Sequence, residues 1–229
     1  NDEGQYAAEP SRSVSYTGVV NCPVRFEDAM LNSDLTVAER NDYVLDEGAE
    51  GAVLDGFLLS AEDSQDTPVL KVYLQKRLAV DFDRGAHGDL VTENLGPAAE
   101  LVQDDGVVRV VRYRCLKGAA TPAAPAVAPT EGYAFTGWAE GDQITDDPAG
   151  VAVTRATTYT AQYEALPAAL HFDAQGGSPV KSITGVTDQS LAGATVPTTT
   201  REGYIFLGWF DDEGASLEAL PEQMPAGEK

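Results

Sequence analysis

The residues best equipped for chemistry are the carboxylates, which crowd turns such as Asp104-Asp105-Gly106, Asp146-Asp147 and Asp211-Asp212-Glu213-Gly214. Calcium needs clustered oxygen ligands, but none of these runs fits the EF-hand loop, and Asp with Gly forms turns without a metal. With so many acids, some pairs must lie near a glycosidase spacing, yet a spacing without a cleft performs no hydrolysis. His87 and His171 stand in or beside strand-like runs and read as strand or turn residues rather than as bases or ligands. Neither Gly-x-Ser-x-Gly, His-Glu-x-x-His, a phosphate loop nor a dinucleotide fingerprint occurs. The expectation is a chain with no catalytic residues, no metal and no cofactor.

Charge narrows the partners. Asp and Glu number 37 against 15 Lys and Arg, a net charge of −22, which repels nucleic acid and anionic membranes. No apolar run is long enough to span a bilayer, so no membrane insertion is expected. Arg109, Arg112 and Arg114 form the one basic cluster, and on so acidic a chain they are expected to pair with neighbouring carboxylates. The two cysteines, Cys22 and Cys115, could form one bridge or remain two buried thiols, because spacing alone does not show whether their Cα atoms approach.

The elements that must carry these residues are organised by an octet. Glu131-Gly132-Tyr133-Ala134-Phe135-Thr136-Gly137-Trp138 returns at Glu202-Gly203-Tyr204-Ile205-Phe206-Leu207-Gly208-Trp209, with six of eight positions identical. The copies lie 71 residues apart, the span of a small folding unit rather than of a solenoid turn. Tyr, Phe and Trp favour strands, and Tyr and Phe alternate at period two, so each octet is expected to form a short strand anchoring its own core. Gly137 and Gly208 suggest a bulge that re-aims the indole. Tyr133, Phe135, Trp138, Tyr204, Phe206 and Trp209 are therefore read as structural anchors, with an exposed glycan-stacking platform as the alternative.

These residues resemble a known family. Pro129 to Trp138 and Thr200 to Trp209 are similar to the P-T-x-E-G-Y-x-F-x-G-W signature of the Listeria–Bacteroides repeat, the internalin B-repeat type. Leu170 to Gly177 resembles the repeat's opening strand, Val80 to Gly88 a variant of it, and Thr158 to Tyr163 its closing strand. The resemblance covers residues 78–229. It implies small β-grasp-like modules in tandem, without enzymatic activity, on the surface of a Gram-positive bacterium. As a secreted, extracellular stalk, spacer or adhesin segment, such a chain would meet an unidentified host protein or glycan, or other modules of its own chain. Two alternatives follow from the same resemblance: a ligand-binding module proper, or an accessory region of a larger secreted enzyme. A signal peptide at Asn1 and a sorting motif at Lys229 are both lacking, so the segment is expected to be part of something longer.

The fold expected is mainly β with a little helix (α+β), as tandem small modules in an elongated arrangement. Residues 1–12 read as a frayed lead-in, 13–77 as a divergent β-rich module, 78–165 as a repeat-like module with an insertion, and 166–229 as one lacking its closing strand. Within these, Asn32 to Arg40 is expected to hold a helix capped by Asn32 or Ser33, and Tyr43–Leu45 and Val69–Arg77 to be strands. Asp55-Gly56-Phe57 is a weak analogue of the later Glu-Gly-Tyr. Asn94 to Gln103, with Pro97 in the first turn, is expected to form two turns of helix, followed by the strand Val107–Cys115. The three-proline stretch 118–130 reads as an internal connection rather than a domain boundary. Opening strands lie 90 residues apart (Phe82, Phe172) and octets 71, so residues 78–165 carry about 19 extra residues before their octet.

Overall fold

The structure, a computed structural model, describes residues 6, 9–18, 22–55, 57–58, 69–211 and 213–229. Gly56 of the Asp-Gly-Phe analogue and Asp212 of the last acidic turn lie outside them, as does much of the lead-in. The described residues form sixteen short strands and two helices of seven and six residues, so the chain is mainly β, as expected.

Before residue 78 the elements are β1 (Pro23–Val24), α1 (Asp28–Asp34), α2 (Val37–Asp42), β2 (Tyr43–Leu45), β3 (Phe57–Leu58) and β4 (Leu74–Lys76). They make two small antiparallel pairs, β1 with β3 and β2 with β4. The helical segment is thus two helices, and its cap is neither Asn32 nor Ser33. Thr36 accepts from the Glu39 backbone while the Glu39 carboxylate accepts from the Thr36 backbone N–H, a capping box that satisfies two orphan donors. The described lead-in residues are held rather than frayed: Tyr6 donates to Asp46 at 2.7 Å and Arg12 to Glu39 at 2.9 Å.

Residues 78–165 supply β5 (Leu78–Asp83), β6 (Gly88–Leu90), β7 (Glu100–Asp104), β8 (Val107–Cys115), β9 (Val127–Pro129), β10 (Tyr133–Glu140), β11 (Gln143–Thr145) and β12 (Thr157–Ala165). Six of them form one sheet in the order β11-β10-β12-β5-β8-β7, antiparallel throughout except that β12 runs parallel to β5. Alternation places Val80 and Phe82 inward and Asp81 and Asp83 outward. Phe82 is fully buried, its ring edge-on to Trp138 and Tyr113 and stacked with Tyr159. Val80, Val111 and Ala161 complete the same cluster. β9 pairs with β6, so the proline-rich stretch is bound inside this unit.

The helix expected at Asn94 to Gln103 is absent. Asn94 is left-handed at φ 64°, which stops a helix before Pro97, and Glu100–Asp104 is β7, a strand paired with β8. Asp105 and Gly106 both have positive φ, 48° and 81°, and make the two-residue hairpin turn for which Asp-Gly is suited. The extra residues before the first octet are therefore largely this hairpin.

Residues 166–229 supply β13 (Pro167–Leu170), β14 (Ile183–Val186), β15 (Trp209–Phe210) and β16 (Ser216–Leu217), in two antiparallel pairs over a smaller core of Ala168, Leu191 and Met224. Beyond them, Ala169 bridges Glu228 in parallel, with Lys229 N–H donating to the Ala169 carbonyl at 2.9 Å. This rung falls where β12 meets β5 in the preceding unit. Phe82→Ala should cost about 3–5 kcal/mol in urea unfolding, and Phe172→Ala, only half-buried, clearly less.

Candidate functional site

The two octets share an aromatic geometry. Trp138 lies 5.1 Å from Phe82 and 5.5 Å from Phe135, centroid to centroid, and Trp209 lies 5.0 Å from Phe172 and 5.3 Å from Phe206. The glycine before each indole has nearly the same backbone, φ 137° at Gly137 and 132° at Gly208. At the first copy the register with β12 slips between Phe135 and Gly137, the expected bulge. An added Cβ at Gly137 would meet the Thr145 carbonyl at 2.9 Å. Both indoles are buried, Trp138 to 2% and Trp209 to 8% exposure, and the Trp209 N–H donates to the Pro197 carbonyl at 2.7 Å.

Around the indoles the copies diverge. Tyr133 to Trp138 is strand throughout, paired with β12; of the second octet only Trp209 is in a strand. Tyr204, Ile205 and Leu207 are 66%, 87% and 83% exposed. Tyr204 is thus no core anchor: its ring sits under the Arg201 guanidinium, 4.1 Å from the centroid. The physical cause is the missing neighbour, since a strand holds its backbone groups only against a second strand.

The Gly-Tyr pair of the first octet does a further job. The Tyr133 hydroxyl donates to Asp188 at 2.6 Å, the Leu166 N–H donates to the Gly132 carbonyl at 2.8 Å, and the Thr187 N–H donates to the Leu166 carbonyl at 2.9 Å. A Cβ on Gly132, itself at φ 87°, would lie 2.6 Å from the Thr187 side chain and 2.8 Å from Ala226. His87 stacks flat on Tyr133 with centroids 3.8 Å apart, which holds the phenol in place. Asp188 is left-handed at φ 60°, with its N–H bonded to the Met224 carbonyl, and so ties the joint to the core of residues 166–229. The bond to Asp188 pushes the Tyr133 hydroxyl above its ordinary pKa, so its contribution persists through pH of about 10 and is lost above that. Thr187 and Asp188 were not singled out from the sequence; a lone Thr-Asp carries no signal until its neighbour is known.

The other candidate residues fall elsewhere. Arg112 makes a two-pronged pair with Asp81 at 2.8 and 2.7 Å, Arg109 reaches Asp83 at 3.2 Å, and Arg114 holds Glu100 at 2.8 Å and Asp42. The cluster therefore neutralises the outer face of β5 and clamps α2 to the sheet. The bridge considered for Cys22 and Cys115 is not made: Cys22 is an exposed free thiol before β1, and Cys115 packs partly against the core at the end of β8. Burial pushes the Cys115 thiol pKa up, away from reactivity. His171 is hydrogen-bonded to Ser182 at 2.8 Å. Among the described residues no group of three or more His, Cys, Asp or Glu could hold a metal. A cleft lined by Glu140, Thr121, Arg155 and Tyr159 encloses about 100 Å³, below the ~300 Å³ at which ligand pockets begin. Gly132→Ala should open the joint and speed hydrogen exchange at Leu166 and Thr187. Gly203→Ala, with nothing within 4 Å, should cost only the ~1–2 kcal/mol of a left-handed alanine and leave those amides unchanged.

Comparison with known proteins agrees with this division. Residues 169–226 match the Listeria-Bacteroides repeat domain, and residues 118–167 the divergent InlB B-repeat domain. A protein of Evansella cellulosilytica, described as a membrane protein, is 31% identical over 85 residues, 36% of this chain. The match spans 12% of that relative's length. No solved structure matches. No helix among the described residues is long and apolar enough to cross a membrane. Over residues 118–167 and 169–226 the chain is a repeat protein of the InlB B-repeat and Listeria–Bacteroides type.

Proposed function

We propose that this chain is a non-catalytic spacer segment of an extracellular bacterial surface protein. Repeats of this type are typical of bacterial surface proteins, and neither matching family is known as a catalytic one. The observation that carries the reading is the joint at Gly132-Tyr133. One repeat's closing strand leads through Leu166 directly into the next repeat's opening strand, while Thr187 and Asp188 close over Gly132 and Tyr133. A free linker would let successive units swing, whereas backbone and side-chain bonds on both sides of the junction hold one angle. Fixed angles between repeats suit a stalk that must keep a distance. The net charge of −22 suits one that must stay solvated and unassociated at high local density.

The test is small-angle scattering of residues 1–229 beside a binding screen. The spacer reading expects one stiff, extended form, with Gly132→Ala and Asp188→Ala broadening the distance distribution without unfolding either repeat. It also expects no saturable capture by immobilised host matrix proteins or a glycan panel at physiological salt, with or without calcium. Saturable binding that survives moderate salt would make the segment an adhesin instead, and unchanged scattering in both variants would remove the joint from the argument.

A further inference from the structure

We infer that the second octet is an acceptor site for an added β-strand, one that enters antiparallel to Tyr204–Leu207 and parallel to Leu170–Phe172. The first unit shows what such a site looks like when filled. There β12 lies between β5 and β10, with Val80↔Thr157 to Asp83↔Thr160 on one side and Tyr133↔Ala165 to Ala139↔Thr160 on the other. The second unit keeps both walls. Leu170 to Asp173 repeats the opening strand at an offset of 90 residues, and the octet repeats at 71. Two cross-links confirm the alignment. The pairing of Gly88 with Pro129 recurs as the Ser178 N–H donating to the Thr200 carbonyl at 2.7 Å, and the two Phe-Trp-Phe arrangements superpose in their spacings.

What differs is the middle. Phe82 is stacked by Tyr159 from β12, with ring centroids 5.6 Å apart, and is fully buried, whereas Phe172 carries no second ring beyond Trp209 in the described structure and is half-buried. Ile205 and Leu207 stand exposed where Ala134 and Thr136 flank a paired strand, and Phe206 is more exposed than Phe135. The parallel rung Ala169–Glu228 marks the site's entrance in register, one step before the position equivalent to Val80↔Thr157.

The occupant is thereby specified: an extended segment of about eight residues, alternating, with aromatic and small residues inward and polar residues outward. In β12 the inward set is Tyr159, Ala161 and Tyr163 and the outward set Thr158, Thr160 and Gln162. A small inward residue at the centre is required, since Ala161 sits opposite Trp138. Main-chain hydrogen bonds would supply the affinity and the alternate side chains the selectivity. This rests on the internal equivalence of the two repeats and not on the spacer role, so either can fail alone.

The test is hydrogen exchange on residues 1–229 with the peptide Thr-Thr-Tyr-Thr-Ala-Gln-Tyr-Glu-Ala, the sequence of β12, in excess. A second form carries Thr-Tyr-Thr-Ala-Gln-Tyr-Glu-Ala fused after Lys229, so that weak affinity cannot hide the result. Slowing of the amides across 204–208 by tenfold or more, with a blue shift of tryptophan emission, is expected in the fused form. Replacing the inward tyrosines of the added strand by lysine should abolish it. Unchanged exchange across 204–208 in the fused form overturns the inference, and so does equal protection by the lysine control.

Discussion

The parallel pairing of Thr157–Thr160 with Val80–Asp83 is the constraint on which the best-formed part of this molecule depends. It brings together two strands about eighty residues apart in the chain, a closure that local contacts do not repay. The return is the burial of Phe82 among Tyr113, Trp138 and Tyr159. Those aromatic edges and faces contribute both area and orientation. Every other pairing in the sheet is antiparallel and follows once these two strands are side by side.

Electrostatics is arranged around the same strand. Its inward residues make the core, and its outward residues, Asp81 and Asp83, meet the arginines of β8. Each pair is partly exposed and of modest value alone. Their effect is local: on a chain of net charge −22 they spare the centre of the sheet from like-charge repulsion. Arg114 extends the arrangement to Asp42 and so links the N-terminal helices to the sheet. The joint at Tyr133 and Asp188 uses different means, one hydroxyl and a glycine too close to its neighbour to be anything else.

Where reading the sequence failed, it failed for identifiable reasons. Pro97 in an Ala-Leu background resembles a helix start, but Asp105-Gly106 between two apolar runs was the stronger signal, and the edge of β8 offered a partner no helix could use. Thr36 and Glu39 were a capping box three residues apart, legible in principle and overlooked. Tyr204 was assigned to a core because its twin Tyr133 has the same neighbours in sequence. The twin's surroundings come from His87, Asp188 and β12, none of them nearby in the chain.

The sequence by itself determined the repeat, its period, the two buried indoles, the glycine bulge before the first and the pairing of the arginines with acid. These follow from residue type and short-range spacing, because alternation and turn chemistry act over a few residues. Tertiary structure alone decided which copy of the octet became a full strand, which tyrosine joined a joint and which was left in solvent, and that neither cysteine met the other. A strand is stable only against a partner. Whether a partner arrives is set by chain closure over tens of residues, which no local pattern records.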